Sequence, residues 1–470
     1  GSAGNVGRLS WRRLERPPRP LTMRIAPVVG ADRGEIPVIL PFLHLGRPLI
    51  LAITMRLLFV HQNFPGQYVH LAPALVQAGH EVRALMLEPT ARDLPGVAGT
   101  RYKVLRGSTP NVHPWAGEFE TKVLRGEGAA RAAWTMKQHG FTPDVICVHP
   151  GWGEALFLRD IWPEARQLHF VEWYYGWEGH DVTFDPEFPP RSIDTRLRIR
   201  TKNTHLLHGL MDMDAGISPT AWQRSTVPAL FQPKVEVVHD GVDTQLIQPD
   251  EAAVFECALP GSAQRLRLTR QDQVISFINR NFEPNRGYHA FLRALPALLA
   301  RCPKAQVVLV GSDGVSYGAK SEDGRSWRDR FLDEIRPLLT PEQLARLHFV
   351  GRLPHGQLVR LYQVARAHVY LTYPFVLSWS MLEAMSAGAL VIGSRTAPVE
   401  EVIEHGRNGW LVDFFDRDGL ARAMCDALLA PPDTHDALRS NARETIVSRY
   451  DLQRVCLPRQ MALVERLALG

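Results

Sequence analysis

The sequence predicts an α/β protein built from two consecutive doubly wound parallel-sheet units. Three observations lead to this prediction. The chain has 470 residues, a length that favours more than one domain. Short apolar runs of strand length alternate with helical segments, which is typical of parallel sheets covered on both faces. The alternation restarts near residue 274, after a connecting stretch at 238–249.

The elements of the first unit follow from apolar runs and their punctuation. Leu57 to Val60 is one such run, and strands are predicted at 56–61, 80–87, 144–148, 167–174 and 215–218. A helix is predicted over 71–79, because Gly79 is a typical helix terminator. The carboxyl ends of these strands, where parallel sheets bind ligands, carry His61 and His149.

The second unit repeats the pattern. Strands are predicted at 274–278, 306–310, 348–350, 368–371 and 389–392, and helices at 288–302 and 381–387. Gly388 ends the second of these helices. Functional residues are therefore expected in loops that face a cleft between the two units.

Composition and charge exclude several classes of protein. Hydrophobic residues make up 45% and charged residues 22%, so disordered, collagen-like and coiled-coil proteins are excluded. Lys and Arg number 54 against 49 acids, which gives a net charge of +5. Residues 1–54 carry eight Arg and three acids, so the rest of the chain is neutral. A neutral body argues against a nucleic-acid partner, which needs clustered cations.

Residues 1–54 differ from the rest of the chain. They lack a periodic apolar face, and Pro37, Pro41 and Pro48 interrupt their most apolar stretch, which makes a membrane-spanning helix a poor interpretation. We expect a poorly ordered leader or an over-long start assignment, with Met55 the natural beginning. The alternative is an arginine-rich arm that touches an anionic lipid surface.

The five cysteines are scattered and form no Cys-x-x-Cys pair, so neither a thiol redox motif nor a zinc site is evident. This usage fits a reducing cytosol. We expect a cytoplasmic protein that uses no metal.

Two arginines follow the first strand of the second unit. Arg280 and Arg286 flank a Pro-containing turn, and Gly287 opens the next helix. Two guanidinium groups beside a helix N-terminus suit a diphosphate. The alternative interpretation is a pair of solvated arginines beside Glu283, and the spacing alone does not decide between them.

A second polar constellation opens the helix predicted at 381–387. Ser378 or Ser380 is expected to cap it, which leaves backbone N–H groups available to a phosphate. Glu383 stands three residues after Ser380, which is capping-box spacing, and spacing alone favours that structural role slightly. The functional alternative is a carboxylate that accepts hydrogen bonds from both hydroxyls of a ribose.

Three loops of the first unit carry further candidates. His149 begins a Gly-Trp-Gly turn, where it faces either a cleft or only its own backbone. The loop at 172–187 mixes aromatic rings with acids, including Tyr175, Glu178 and Asp181, a composition that suits either a sugar or a packed surface loop. Gly66 indicates either the close approach of a ligand or only a tight turn. Gly311 has the same two interpretations, and both are weak signals.

Together these residues resemble the family 4 retaining glycosyltransferases, from Met55 to the C-terminus. A narrower resemblance is to a bacterial subgroup. The segments that carry these resemblances are 61–67, 149–157, 184–188, 218–220, 240–243 and 351–354. The resemblance implies the GT-B fold, with two Rossmann-like domains facing a cleft. It implies an N-terminal acceptor domain at 55–240, a donor domain at 241–446, and a helix within 447–470 that crosses back to complete the first domain.

The resemblance also implies roles for individual residues. His149 matches the cleft histidine near the transferred sugar, Arg280 matches the diphosphate-binding arginine, and Arg286 stands where the family usually has lysine. Glu383 matches the second glutamate of the Glu-x7-Glu motif, which holds the ribose. Further donor contacts are expected from Gly66, Gly311, Phe375, Ser378, Trp379 and Ser380, and acceptor contacts from Tyr175, Glu178 and Asp181.

The chain departs from the family motif at one important position. Phe375 stands where the first motif glutamate is expected, and Val376 and Ser378 replace the usual glycines. The substitution changes the environment of the donor sugar and removes the carboxylate from that position. We interpret it as a variation shared by the subgroup. Backbone amides around 378–380 remain able to meet phosphate oxygens.

The implied reaction transfers a sugar from a UDP- or GDP-linked donor to an acceptor hydroxyl, with retention at the anomeric carbon. The expected acceptor is a glycan or a lipid-linked glycan in bacterial surface polysaccharide or glycolipid synthesis, which leaves peripheral contact with the inner membrane face open. Rival interpretations are a non-catalytic homologue that binds nucleotide-sugar or a partner enzyme, and a nucleotide-sugar epimerase. A nicotinamide dehydrogenase is disfavoured because no Gly-x-Gly-x-x-Gly follows the first strand.

Overall fold

The structure is a computed structural model that describes residues 54–88, 90–190, 192–261, 264–316 and 318–470. The predicted leader, apart from Thr54, lies outside these residues. Within the described chain, no helix combines the length and the apolar character that crossing a bilayer requires.

The first unit is built on a parallel sheet of seven described strands. They are β1 (Arg56–Val60), β2 (Glu81–Leu87), β3 (Ala98–Tyr102), β4 (Val145–Val148), β5 (Arg166–Phe170), β6 (Ala215–Ser218) and β7 (Val235–Val237). Their order in the sheet is β3-β2-β1-β4-β5-β6-β7. β4 is buried along its whole length, as expected of a central strand covered on both faces.

The second unit contains a hairpin and a parallel sheet. The antiparallel hairpin joins β8 (Val254–Ala258) to β9 (Arg265–Thr269). The sheet, with six described strands, comprises β10 (Gln273–Asn281), β11 (Ala305–Ser312), β12 (Leu347–Gly351), β13 (Ala367–Tyr370), β14 (Leu390–Ser394) and β15 (Trp410–Val412). Its order is β12-β11-β10-β13-β14-β15. In both sheets the first strand lies at the centre and the order reverses beside it, which is where doubly wound folds bind ligands.

Helices cover the faces of the sheets. Those of the first unit are α1 (Leu71–Gln77), α2 (Gly117–Gln138), α3 (Leu158–Ile161), α4 (Ile193–Lys202), α5 (Thr204–Asp212) and α6 (Ala221–Ser225). The second unit contributes α7 (Tyr288–Arg301), α8 (Trp327–Ile335), α9 (Pro341–Leu344), α10 (His355–Val364), α11 (Trp379–Ser386), α12 (Ala397–Glu400), α13 (Arg417–Leu429) and α14 (Asp436–Arg449). The last helix is α15 (Leu457–Leu469).

The end of the chain returns to the first unit. After α14, a parallel bridge pairs Asp451 with Val242, and a π-helical turn at Leu452–Cys456 leads into α15. Leu463 and Val464 of α15 are buried in the same apolar core as strand β1. The predicted α/β fold and its returning helix are therefore confirmed, while the domain boundaries at 240 and 446 remain predictions.

Several elements differ from the sequence expectations. The strand predicted at 167–174 ends at Phe170, so Glu172 to Tyr174 leave the sheet edge as a loop. The β8–β9 hairpin and the long helix α2 were not predicted. α2 escapes detection because it lacks a clear apolar stripe and contains two glycines, Gly126 and Gly128.

Candidate active site

His149 lies at the carboxyl end of β4, at the centre of the first sheet. The ring is 3% exposed and stacks on Phe170, with ring centres 5.4 Å apart. Its Nδ1 accepts a hydrogen bond of 3.2 Å from the Gly151 N–H. In the neutral ring the proton is therefore on Nε2. That atom is buried and has no hydrogen-bond partner among the described residues, so it can donate to a bound group.

His61 and Gly66 line the same end of the sheet from β1. The rings of His61 and His149 are 5.5 Å apart, and burial lowers the pKa of His61 to about 3, with His149 adding to the effect. Gly66 has a φ of +47°, and a Cβ there would lie 2.6 Å from Cε1 of His61. Glycine at 66 is therefore required by the turn and by the histidine beneath it.

Glu172 follows β5 and faces His149. Its Oε2 lies 3.5 Å from His149 Nε2, and its side chain is 34% exposed. Burial alone would raise the pKa of Glu172, but His149 and the positive charges of Arg280 and Arg286 together lower it. Because both arginines belong to the second unit, Glu172 marks the point where the two units face each other. Glu172 begins the candidate loop at 172–187, but it was not singled out, because the preceding strand was also predicted to continue to residue 174.

Arg280 and Arg286 occupy different environments near the end of β10. Arg280 is exposed, and its guanidinium has no hydrogen bond or ion pair with the described residues. Arg286 is 6% exposed and donates 2.9 Å hydrogen bonds to Thr372 Oγ1 and the Val376 carbonyl oxygen. The solvated-pair alternative therefore holds only for Arg280. Arg286 is fixed in the wall of the cleft.

Glu383 is not part of a capping box. Ser378 caps α11, accepting from the Ser380 N–H at 3.4 Å, whereas Glu383 accepts a 2.9 Å hydrogen bond from His355 Nε2 and a longer one from Tyr362. The spacing-based preference for a cap at Ser380 is therefore wrong, because the helix begins two residues earlier. The hydrogen bond between His355 and Glu383 raises the pKa of His355.

Phe375 lies at the boundary between the units. Its ring is 4% exposed and meets the edge of Trp173, from the first unit, with ring centres 4.9 Å apart. The Arg286 guanidinium lies 5.7 Å from the centre of the same ring. Phe375, which the resemblance places at the first motif glutamate, is therefore an apolar contact between the units.

The start of α11 makes a second contact across the boundary. Trp379 is half exposed, and its Nε1 donates a 2.9 Å hydrogen bond to Oδ2 of Asp240. The Ser378 N–H donates to the Tyr370 hydroxyl at 2.8 Å, and Ser380 is nearly buried. Burial raises the pKa of Asp240 to about 7, an effect that the Trp379 hydrogen bond reduces and the charge of Glu172 increases.

Close packing at the end of β11 requires glycine at position 311. A Cβ at this position would lie 2.9 Å from the Asn279 carbonyl oxygen. This contact accounts for glycine without a ligand, so the predicted donor contact of Gly311 stays a prediction.

The three predicted acceptor residues lie on the loop between β5 and α4. Tyr175 has the Lys202 Nζ 3.9 Å from its ring centre, and Glu178, which is 86% exposed, lies 3.9 Å from Arg196. Asp181 is partly buried. Burial raises the pKa of its carboxyl group, although Lys202 opposes the effect. Tyr175 and Glu178 therefore contact α4, while the contacts described for Glu172, from the same loop, are with His149 and the arginines.

The segment at 184–188 inserts into the second unit. Phe184 and Phe188 pack against the second unit's core, which includes Phe414 and Phe331. The intervening carboxylates, Asp185 and Glu187, meet His289 and Arg293. This stretch, hereafter the docking segment, ties the first unit to the second.

Asp185, Glu187 and His289 bring their oxygen and nitrogen atoms within 4.8 Å of one another, a spacing that could hold a metal ion. These groups already have protein partners. Glu187 receives two hydrogen bonds from Arg293, and Asp185 receives one from Tyr373. The geometry fits a hydrogen-bond network that joins the units, buried at Asp185 and His289 and exposed at Glu187.

Comparison with known proteins identifies the family. Residues 78–247 match the model of the glycosyl transferase family 4 group, and residues 263–445 match that of glycosyl transferases group 1. The chain belongs to the family 4 glycosyltransferases. This glycosyltransferase is 24% identical over 434 residues to a glycogen synthase of Mycobacterium tuberculosis, covering 85% of the chain and 92% of that protein. It is 26% identical over 340 residues to a D-inositol 3-phosphate glycosyltransferase of Corynebacterium jeikeium, covering 68% and 75%.

Solved structures show that the glycosyltransferase has the GT-B fold. Sucrose-phosphate synthase from Thermosynechococcus elongatus superposes with a TM-score of 0.64 at 19% identity, covering 88% of this chain and 100% of that one. Anabaena HepE in complex with UDP and glucose gives 0.57 at 17% identity, covering 88% and 99%. The predicted family and fold are confirmed.

Proposed function

We propose that this glycosyltransferase moves a sugar from a nucleotide diphosphate sugar to an acceptor hydroxyl with retention of anomeric configuration. One observation carries the proposal. The carboxylate of Glu172 lies beside His149 on the first unit, and the positive charges of Arg280 and Arg286 on the second unit stabilise its ionised form. A polar site that draws on both sheets at their carboxyl ends suits a ligand held between two units.

Each side of this site has chemistry for one part of the donor. Arg280, whose guanidinium is exposed, and Arg286, fixed in the wall, supply positive charge where a diphosphate would leave. Glu383 presents a carboxylate to ribose hydroxyls, in place of its present partner His355. His149, with its unpartnered Nε2–H, would donate to a hydroxyl of the transferred sugar.

The proposed chemistry is a same-face displacement. The bond between the anomeric carbon and the diphosphate oxygen breaks, and its electron pair leaves with the diphosphate. The acceptor oxygen forms the new bond on that face, and its proton passes to the departing diphosphate. Preorganised positive charge at Arg280 and Arg286 would stabilise the leaving group as its charge develops.

The identity of the substrates is part of the proposal. A UDP- or GDP-linked donor is proposed, and the fold shared with the HepE complex of UDP and glucose supports the uridine form. The proposed acceptor is a glycan or a lipid-linked glycan, approaching from the loop that bears Tyr175, Glu178 and Asp181. Synthesis of surface polysaccharide or glycolipid is the corresponding role.

A donor screen tests the proposal. Purified protein is incubated with UDP- and GDP-sugars while saturation-transfer NMR reports binding and slow hydrolysis of the donor. We expect one donor to bind and to hydrolyse, and NMR of the product with a sugar acceptor to show the retained anomer. An inverted anomer would contradict the same-face displacement. Failure of every donor to bind would contradict the roles of Arg280, Arg286 and Glu383.

The buried Phe375 favours one alternative function, a homologue that binds nucleotide-sugar without turning it over. Its ring occupies the place of the motif glutamate and packs on Trp173. This alternative predicts saturable donor binding with neither hydrolysis nor transfer to any acceptor. Turnover of one donor therefore distinguishes the two functions.

A further inference from the structure

We propose that Glu172 is a further catalytic residue, whose carboxylate lies beside the transferred sugar and replaces the negative charge absent at Phe375. The inference rests on the proposed transferase function. It concerns a position outside the residues that the family motif marks.

The backbone around Glu172 is held firmly, while its side chain remains accessible. The Glu172 carbonyl oxygen accepts a 2.8 Å hydrogen bond from Nε2 of Gln223, which is itself fully buried. The Glu172 side chain keeps about a third of its surface exposed, at 34%. A fixed backbone with an accessible carboxylate is the arrangement expected of a group that meets a ligand.

The carboxylate of Glu172 lies closest to His149, a histidine with spare donor capacity. Gly151 occupies Nδ1 of His149, so the Nε2–H faces Oε2 of Glu172 at 3.5 Å, which is too long for a well-formed hydrogen bond. Within the described residues that Nε2 has no hydrogen-bond partner, although it is buried. A sugar hydroxyl that approaches both groups from the side could accept from His149 and donate to Glu172.

The contacts of Phe375 show that Glu172 lies near the position of the absent motif glutamate. Its ring meets the edge of Trp173, the residue that follows Glu172 in the chain. The position that bears a glutamate in the family and the loop that bears Glu172 are therefore in contact across the cleft. A carboxylate supplied from the first unit can serve the site from which the second unit's has been removed.

The charged groups around Glu172 keep it ionised. His149, Arg280 and Arg286 stabilise its negative charge, and together they outweigh the effect of burial on its pKa. The neighbouring acid is Asp240, whose hydrogen bond to Trp379 and raised pKa leave it partly protonated near neutral pH. One full negative charge therefore lies beside the proposed position of the sugar, within the field of the arginines that hold the diphosphate.

That placement gives Glu172 a specific task. As the bond to the diphosphate oxygen breaks, positive charge develops on the sugar ring, and a fixed carboxylate stabilises it. Glu172 forms no covalent bond and accepts no proton in this scheme. The electron pair still leaves with the diphosphate, and the acceptor proton still passes to the diphosphate oxygen.

The test separates catalysis from binding. In Glu172→Gln, the turnover number for donor hydrolysis or transfer should fall roughly 100-fold, the loss typical of removing one preorganised electrostatic group. Calorimetric titration with UDP and GDP should show an unchanged or tighter Kd, because a negative charge facing Arg280 and Arg286 is gone. Glu127→Gln, which removes an exposed ion pair with Arg131 on α2, is the matched control. It should retain the wild-type turnover number and nucleotide Kd.

Every outcome decides the inference. Wild-type turnover in Glu172→Gln overturns it and leaves the proposed function intact. Loss of nucleotide binding together with a lower Tm shows a structural role and also overturns it. If the wild-type protein binds a nucleotide but turns over no donor, the inference is overturned, because there is no catalysis for Glu172 to support. If it binds neither UDP nor GDP, the proposed function fails as well.

Discussion

Nε2 of His289 lies 3.0 Å from Oδ2 of Asp185, and the two residues belong to different units of the fold. Both side chains are almost fully buried, at 3% and 2% exposure. The Tyr373 hydroxyl donates to the same carboxylate oxygen. This network anchors the docking segment in the second unit, so the relation between the two halves of the cleft depends on it.

Replacing Asp185 should loosen the contact between the units. Asp185→Ala leaves His289 and Tyr373 without their buried acceptor, and we expect it to cost about 3 kcal/mol of unfolding free energy. Denaturant unfolding measures the loss, and limited proteolysis should show cleavage near residues 181–190. Glu404→Ala, which removes an exposed ion pair with Arg407, should cost less than about 0.5 kcal/mol. Equal losses in the two variants would contradict the anchoring role.

The Asp185 effect should depend on pH in a defined direction. Burial alone would raise the pKa of Asp185, but the hydrogen bonds from His289 and Tyr373 outweigh it and lower the pKa. A lowered carboxyl pKa adds stability above the unfolded-state value, near 4, and loses it as pH falls through the folded-state value. The destabilisation by Asp185→Ala should therefore shrink below pH 4, measured by Tm.

Nucleotide affinity should weaken as pH falls. The hydrogen bond to Glu383 raises the pKa of His355, so a ribose that takes Glu383 deprives His355 of the partner that favours its charged form. Binding is then linked to proton release, and Kd for UDP or GDP should rise about threefold to tenfold between pH 8 and pH 6. Calorimetry in buffers of different ionisation enthalpy detects the proton.

The matched variant is His355→Gln, which keeps a hydrogen-bond donor but cannot titrate. Its pH dependence should be flatter than that of the wild-type protein. The same slope in both proteins would show that Glu383 keeps its contact with His355 when nucleotide is bound.

Restoring the family carboxylate at 375 should harm this protein. Phe375→Glu places a charge where a ring now packs on Trp173, and we expect a loss of about 2–4 kcal/mol in unfolding free energy. Phe375→Leu keeps an apolar side chain and should lose less. Thermal unfolding of both variants checks the prediction. A Phe375→Glu variant as stable as the wild type would show that Arg286, beside the ring, neutralises the new carboxylate.

Asp240 should make the protein less stable as pH rises. Its pKa of about 7 lies above the value near 4 expected in the unfolded chain, so between these values the folded state holds the extra proton. The stability present below pH 4 is thus lost progressively up to pH 7. Asp240→Asn keeps an acceptor for Trp379 without the charge, and it should gain on the order of 2 kcal/mol relative to wild type between pH 5 and pH 8. Parallel Tm curves would contradict this.

The central strands were predictable because their apolar runs are unbroken. β1 and β4 are buried on both faces, so every residue in them except Arg56 carries the apolar signal. The β8–β9 hairpin was missed since exposed and buried residues alternate in β8, and β9 carries Arg265 and Arg267. Long-range packing, which a local pattern does not contain, decides such elements.

Site residues could be predicted from the sequence where their own position after a strand or within a motif identified them. They were missed where their role depends on a partner far away in the chain. His149, Arg280 and Glu383 were found by their positions after strands or within a motif. Glu172 fell both in a strand predicted four residues too long and at the start of the loop at 172–187, and it was not singled out as a site residue. The partner of Glu383, His355, lies 28 residues earlier in the chain, so spacing suggested a helix cap instead.

Because α15 is the last helix of the chain, the first unit is completed only at the end of synthesis, which is the reverse of the usual order. Apolar side chains of α15 fill the core of the first unit, beside strand β1. While the ribosome is still synthesising residues 457–469, that face of the first sheet is only partly covered, by α1, although all of its described strands have already emerged. The second unit, by contrast, has its whole sheet once residue 412 is out. Domains usually complete themselves from the N-terminus during synthesis, whereas here the earlier half waits for the later one.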